Sequence, residues 1–114
     1  MKRVVITGMG INSCIGNTLE DVLHSLQNGI SGTRFNQTYA DLNSKSHVSA
    51  AAEQDFDNID RKLKRFMGVC AMYAYNSAVA AVEHAGLKPE DLAGNPRYGI
   101  AGGSGGGSTA SVIK

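Results

Sequence analysis

The sequence contains no tryptophan, two prolines and two cysteines among its 114 residues. No apolar run approaches the eighteen or so residues that a membrane-spanning helix needs, so we expect no membrane segment. Cys14 and Cys70 lie far apart and form no C-x-x-C motif, which favours two buried thiols over a disulfide or a metal pair. The basic pair Lys2-Arg3 precedes too few apolar residues to begin a signal peptide. We therefore expect a cytoplasmic protein.

An excess of charge of one sign is also missing, because the chain has 11 basic and 10 acidic residues and a net charge of +1. This balance gives no general attraction to nucleic acid, so we expect no nucleic-acid partner, and a charged partner would have to meet a local patch. His24, His47 and His84 are too scattered to suggest a metal site, and we expect neither a metal nor a cofactor. The composition, with 42% hydrophobic and 18% charged residues, is typical of one globular domain.

The first half of the chain predicts one strand, one helix and a long loop. The short apolar run at 4–6 is typical of a buried strand. Leucine and valine at helical spacing between 19 and 26 predict a helix, with Asn17 as its N-cap and Gly29 as the residue that ends it. Residues 30–58 are polar and lack a sustained period, so we expect a loop-rich segment with one weak hairpin.

The second half predicts one long helix and a second strand. A helical period runs from about Asp60 to Ala85, and its alanine-rich second half predicts close packing against another backbone. Tyr98–Ala101 predicts a strand, and Ser108 begins a further helix at the end of the chain. This order of elements indicates an α/β fold with a largely parallel sheet. The long helix and the late helix start suggest that the chain is truncated.

Two glycine-rich segments follow the predicted strands and resemble nucleotide-binding loops only in part. Gly8 and Gly10 begin a G-x-G-x-x-G pattern, but Ser13 stands at its third glycine position. The run 102–107 has the glycine spacing of a phosphate-binding loop, but Ser108 stands where that motif requires lysine. The glycine run is compatible with a flexible linker or with the close approach of another backbone or a ligand.

Four basic residues, Arg61, Lys62, Lys64 and Arg65, cluster at the start of the predicted long helix. The commonest role of such a cluster is a solvated surface. Cations near a helix N-terminus oppose the helix dipole, and a placement that costs local stability favours a second interpretation. In that interpretation the cluster binds an acidic partner.

Five segments together point to a known family. These segments resemble, in order, parts of the elongating β-ketoacyl-acyl carrier protein synthases: Lys2–Gly10, Ser31-Gly32, Asp60–Met67, Ala85–Leu87 and the stretch from Asn95 to Ser108. The all-glycine loop is similar to that of the type I enzymes. The resemblance covers nearly the whole chain but only the N-terminal part of a family member. We therefore expect residues 1–114 to be a truncated N-terminal β-ketoacyl synthase domain.

The resemblance implies a thiolase-like fold with α/β/α/β/α layers, a homodimer, and decarboxylative condensation of malonyl-acyl carrier protein with an acyl-enzyme in fatty-acid biosynthesis. The family uses a cysteine nucleophile and two histidines, but no cysteine or histidine of this chain stands in those motifs. No catalytic residue is therefore assigned.

The resemblance also implies two binding roles. Arg61, Lys62 and Arg65 match basic residues with which the family docks acyl carrier protein, and Lys45 is a further candidate for that surface. Gly106 matches a position that shapes the acyl-chain pocket. An alternative from another class is a stand-alone small α/β module that binds a partner through the basic cluster and performs no chemistry. A reading frame that continues past Lys114 into a cysteine nucleophile motif would distinguish the two.

Overall fold

The computed structural model describes residues 2–108 and divides into two compact units. Residues 11–54 form the first, called here the hairpin unit, and residues 2–10 with 55–108 form the second, called the helical unit. The hairpin unit contains α1 (Leu19–Gln27), β1 (Arg34–Phe35), α2 (Gln37–Asp41) and β2 (Val48–Ser49), and the helical unit contains α3 (Arg61–Lys64), α4 (Val69–His84) and α5 (Pro89–Leu92).

Helix α1 confirms the predicted helix, but its cap lies one residue later than expected. Thr18 is the N-cap, and its Oγ1 accepts the backbone N–H of Asp21 at 3.1 Å. Asn17, the predicted cap, instead donates its side-chain amide to the backbone oxygen of Glu53. Gly29 ends the helix as predicted, with a φ of +61° that a side chain would disfavour.

The predicted weak hairpin is confirmed as an antiparallel pair, in which Arg34 faces Ser49 and Phe35 faces Val48. Asn36 joins this hairpin to α2. Its Nδ2 donates to the Ser49 hydroxyl at 3.0 Å, and its Oδ1 caps α2 by accepting the N–H of Tyr39 at 3.2 Å. The sequence did not predict α2, because five residues are too few to show a helical period.

The single long helix predicted over residues 60–85 is wrong. The structure has the short α3 and the longer α4, separated by residues 65–68. Gly68 is the N-cap of α4 and has an extended backbone, with φ −74° and ψ 163°. Glycine is a poor helix former, and it lies within an apolar pattern that otherwise looks continuous. The C-terminal end was predicted correctly, since Gly86 follows α4 with a φ of +68°.

The alanine-rich half of α4 packs against backbone, as predicted. Added Cβ atoms at Gly8 and Gly10 would both collide with backbone atoms of Ala81, so this approach requires glycine. Between the two glycines, the N–H of Met9 donates to Nδ1 of His84 at 3.0 Å. Residues 8–10 therefore lie directly on the surface of α4.

The predicted parallel sheet is not formed by residues 2–108. The segments 4–6 and 98–101 have no strand assignment, because neither has a neighbouring strand with which to form a hydrogen-bonded ladder. Both segments are solvent-exposed: the side chain of Val4 is almost fully accessible and that of Ile100 is fully accessible. The helix predicted to begin at Ser108 would fall on residues 109–114, which lie outside the described residues.

The chain buries little apolar surface of its own. Ile59 is the one hydrophobic residue that is buried within the described part of the chain, with 3% of its surface exposed. Among residues 2–108, no helix is both long and apolar enough to cross a membrane.

Candidate functional site

The three residues proposed to dock a carrier protein occupy one helical turn. Arg61 begins α3, Lys62 follows, and Arg65 is its C-cap, so the three side chains start from neighbouring positions on a single turn. All three are exposed, and together with Asp60 they line a surface depression of the helical unit. We call Arg61, Lys62 and Arg65 the basic turn.

The neighbouring acidic residues act on other groups. The Asp60 carboxylate is the N-cap of α3 and accepts the backbone N–H of Lys62 at 2.7 Å. Asp57 lies 3.5 Å from the ammonium group of Lys64, so the fourth cation of the cluster already has a partner. Within residues 2–108, no carboxylate comes within salt-bridge distance of the basic turn. Its three charges are therefore available to an external acidic group.

One argument for an acidic partner fails in the structure. The sequence placed the cations at the N-terminus of a long helix, where they would oppose its dipole. Helix α3 has only four residues, and one turn has little summed dipole to oppose. What remains is the grouping of three exposed, unpaired cations around one depression.

The proposed acyl-pocket residue, Gly106, lies in an exposed turn with no regular secondary structure. The hydroxyl of Ser104 donates to the backbone oxygen of Gly106 at 2.7 Å and accepts its N–H at 3.4 Å. A Cβ added at Gly106 would meet no atom within 4 Å, and its φ is not positive. The described part of this chain therefore gives no reason why the position should be glycine.

A buried amide in α4 is a feature that the sequence analysis missed. Asn76 is 8% exposed, its Oδ1 accepts Nδ2 of Asn58 at 3.0 Å, and its own Nδ2 donates to the backbone oxygen of Asp55 at 3.3 Å. The available signal was a single amide side chain in the middle of a largely apolar, alanine-rich helix. A buried amide needs hydrogen-bond partners, and here the partners lie immediately before the basic turn.

The cysteines differ from the prediction of two buried thiols. Cys14 is half-buried and Cys70, in the first turn of α4, is exposed. Among residues 2–108, no three histidine, cysteine or acidic side chains gather as a metal site would require. Lys45, the further docking candidate, is an exposed residue of the hairpin unit.

Comparison with known proteins identifies the family. All residues from 1 to 114 match the family described as beta-ketoacyl synthase, N-terminal domain. The chain is 49% identical over 109 residues to the 3-oxoacyl-acyl-carrier-protein synthase 1 of Escherichia coli strain K12, which is 95% of this chain and 27% of that protein. With the synthase 1 of Haemophilus influenzae the identity is 47%, over 99% of this chain and 28% of that protein.

A synthase 2 relative is less similar than these two. The 3-oxoacyl-acyl-carrier-protein synthase 2 of Coxiella burnetii is 38% identical over 99% of this chain and 28% of that protein. The higher identity to the synthase 1 proteins agrees with the type I resemblance of the glycine loop. The chain spans about a quarter of the length of the curated relatives it matches. It belongs to the β-ketoacyl synthase family, whose N-terminal domain it matches over its full length.

Proposed function

We propose that this chain is the N-terminal part of a type I 3-oxoacyl-acyl carrier protein synthase. The whole protein would catalyse decarboxylative condensation of malonyl-acyl carrier protein with an acyl-enzyme in fatty-acid biosynthesis. It would do so as a cytoplasmic homodimer with the five-layered thiolase-like fold. The match of all 114 residues to the family supports this assignment. The catalytic residues would lie outside this chain.

The role proposed for this segment is to dock acyl carrier protein through the basic turn. The observation that carries the proposal is the group of three exposed cations, Arg61, Lys62 and Arg65, which line one depression without a carboxylate partner. An acidic carrier would supply the missing negative charges. Charges at the rim of an interface act mainly on the rate of encounter, and salt screens them.

The alternative is a stand-alone module that binds a partner and performs no chemistry. It requires a chain that is stable by itself, yet Ile59 is the one buried hydrophobic residue in the described part of the chain. A small domain with so little buried apolar surface lacks the main driving force for folding. The structure therefore favours a segment of a larger protein.

Charge reversal in the full-length protein that carries this segment tests the docking role. We expect the double variant Lys62→Glu, Arg65→Glu to raise the apparent KM for a carrier-borne substrate about tenfold relative to that for a small carrier-free thioester. The effect should weaken as salt is added, because screening removes the attraction that wild type has and the variant lacks.

A matched control compares Lys62→Glu with Lys88→Glu, since both are exposed lysines of the helical unit and both variants change the net charge by the same amount. Only the change at Lys62 should raise the KM ratio between the two substrates. An equal rise for both substrates would show that the basic turn has a structural role and would contradict docking.

A further inference from the structure

The segment that precedes the basic turn is fixed to α4 by a buried amide. Asn76 lies in the middle of α4 and is 8% exposed. Its Oδ1 accepts a hydrogen bond from Asn58, and its Nδ2 donates one to the backbone oxygen of Asp55. One side chain therefore holds two points of residues 55–59, which we call the anchor segment.

A ring contact, a buried isoleucine and a backbone turn also hold the anchor segment. The rings of Phe56 and Tyr73 meet edge to face, with centroids 5.0 Å apart, and Tyr73 belongs to the same helix as Asn76. Ile59 is 3% exposed, and its N–H closes a turn by donating to the backbone oxygen of Phe56 at 3.0 Å. The anchor segment thus contributes Ile59, the most deeply buried hydrophobic side chain of the described residues.

The basic turn follows this segment without an intervening loop. Asp60, which caps α3, comes directly after the buried Ile59. Lys64 of α3 reaches back to Asp57 in the anchor segment, at 3.5 Å. The position of α3 therefore depends on the anchor segment, and the position of the anchor segment depends on Asn76.

We propose that Asn76 is a positioning residue for carrier docking, which acts by fixing the anchor segment and through it the basic turn. The inference rests on the proposed docking function. Asn76 itself touches neither the carrier nor the reacting groups. Without its two hydrogen bonds, the protein would keep the three cations, but their position relative to α4 would no longer be fixed. Carrier binding would then have to order the basic turn, and this cost in conformational entropy weakens docking.

The test is Asn76→Leu in the full-length protein, because leucine fills a similar volume and can form neither hydrogen bond. An ordinary hydrogen bond contributes about threefold to tenfold to an equilibrium, and this variant loses two, so we expect a rise of roughly tenfold or more in the KM ratio between a carrier-borne substrate and a carrier-free thioester. Asn58→Ala is a milder variant, for use if Asn76→Leu does not fold. It removes the hydrogen bond that the exposed Asn58 donates to Asn76 and leaves the bond to Asp55. It should raise the same ratio by less.

Asn95→Leu is the matched control. Asn95 also lies in the helical unit, but its side chain accepts the N–H of Arg97 in its own loop, at 3.0 Å, and contacts no other element among residues 2–108 by a hydrogen bond. It should leave the KM ratio at the wild-type value. If Asn76→Leu lowers activity with both substrates equally, Asn76 has only a structural role and the proposal is wrong.

Combining Asn76→Leu with the reversal at Lys62 and Arg65 separates the two hypotheses. If Asn76 acts through the basic turn, it should add little to the KM ratio once those charges are reversed, whereas independent effects would multiply. A rise from charge reversal without any rise from Asn76→Leu would overturn the positioning role and leave docking intact. No rise from charge reversal would overturn docking itself.

Discussion

Gly8 and Gly10 at one end of the chain and the glycine run 102–107 at the other both follow a predicted strand, yet their surroundings differ. The first two lie on α4, where an added Cβ would collide with backbone. At Gly106 an added Cβ would meet nothing within 4 Å. Contacts among the described residues explain why positions 8 and 10 are glycine, but they do not explain the run 102–107. A constraint on the run would have to come from a ligand or from another part of the protein.

Backbone conformation does not explain the glycine run either. Four glycines have a positive φ, namely Gly16, Gly29, Gly86 and Gly94, and none of them lies in 102–107. Each glycine there still loses more conformational freedom on folding than another residue would. The comparison therefore separates two glycines that contacts within the chain require from a run that no contact and no backbone angle of the described residues explains.

The largest expected effect concerns the isolated chain of 114 residues. We expect it to be inactive and either molten or aggregated, because exposed apolar side chains such as Val4, Ile6, Phe66 and Ile100 favour association. Light scattering with size-exclusion chromatography and a urea melt would measure this. A monomer that melts in one sharp transition would contradict the prediction, and would show that the exposed segments need no partner.

The next largest effect is expected at the glycines that lie on α4. Gly10→Val in the full-length protein should lower stability by about 3 kcal/mol, because the new side chain must displace the backbone of α4. The midpoint of urea unfolding would measure the loss. Gly99→Val is the matched control, since no atom lies within 4 Å of an added Cβ there and its φ is not positive. Equal losses at both positions would show that the loss at Gly10 does not come from its contact with α4.

Periodicity and glycine placement in the sequence correctly predicted a helix, two helix ends and one packing face. The apolar spacing from 19 to 26 predicted α1, and Gly29 and Gly86 were correctly identified as the residues after helix ends. The alanine-rich half of α4 correctly predicted close backbone packing. For the helix and the helix ends the cause lies within a few residues, so periodicity and glycine conformation suffice to see it. The alanine-rich face indicated that another backbone packs there, but not that the backbone is residues 8–10.

Features that depend on distant partners could not be predicted in the same way. Val4–Ile6 has the composition of a strand, but a strand also needs a neighbour, and composition does not supply one. The role of Asn76 depends on Asn58 and Asp55, which lie 18 and 21 residues earlier. The family resemblance identified Gly106 and the basic turn by position, and their functions remain predictions.

The last and smallest effect is expected at Gly106, where the proposed pocket role predicts selectivity rather than stability. In the full-length enzyme, Gly106→Ile should suppress loading of medium and long acyl chains far more than of acetyl or butyryl groups. Contact with one methylene group in an apolar pocket changes discrimination by about 1–3 kcal/mol. Acyl-enzyme formation across a series of chain lengths, followed by mass spectrometry, would measure it. The affinity for malonyl-acyl carrier protein should stay near the wild-type value, because the basic turn is unchanged.

Gly106→Ala separates pocket volume from backbone freedom. It removes the conformational freedom of glycine but adds only one methyl group, and the φ of Gly106 is not one that alanine avoids. Under the pocket role, this variant should load all but the longest chains normally, with selectivity appearing only as the side chain grows to isoleucine. A uniform loss at every chain length, already present in Gly106→Ala, would mean that the loop needs glycine for its backbone. The requirement for glycine at 106 would then lie within the chain, as it does at Gly8 and Gly10, and the contrast between the two regions would fail.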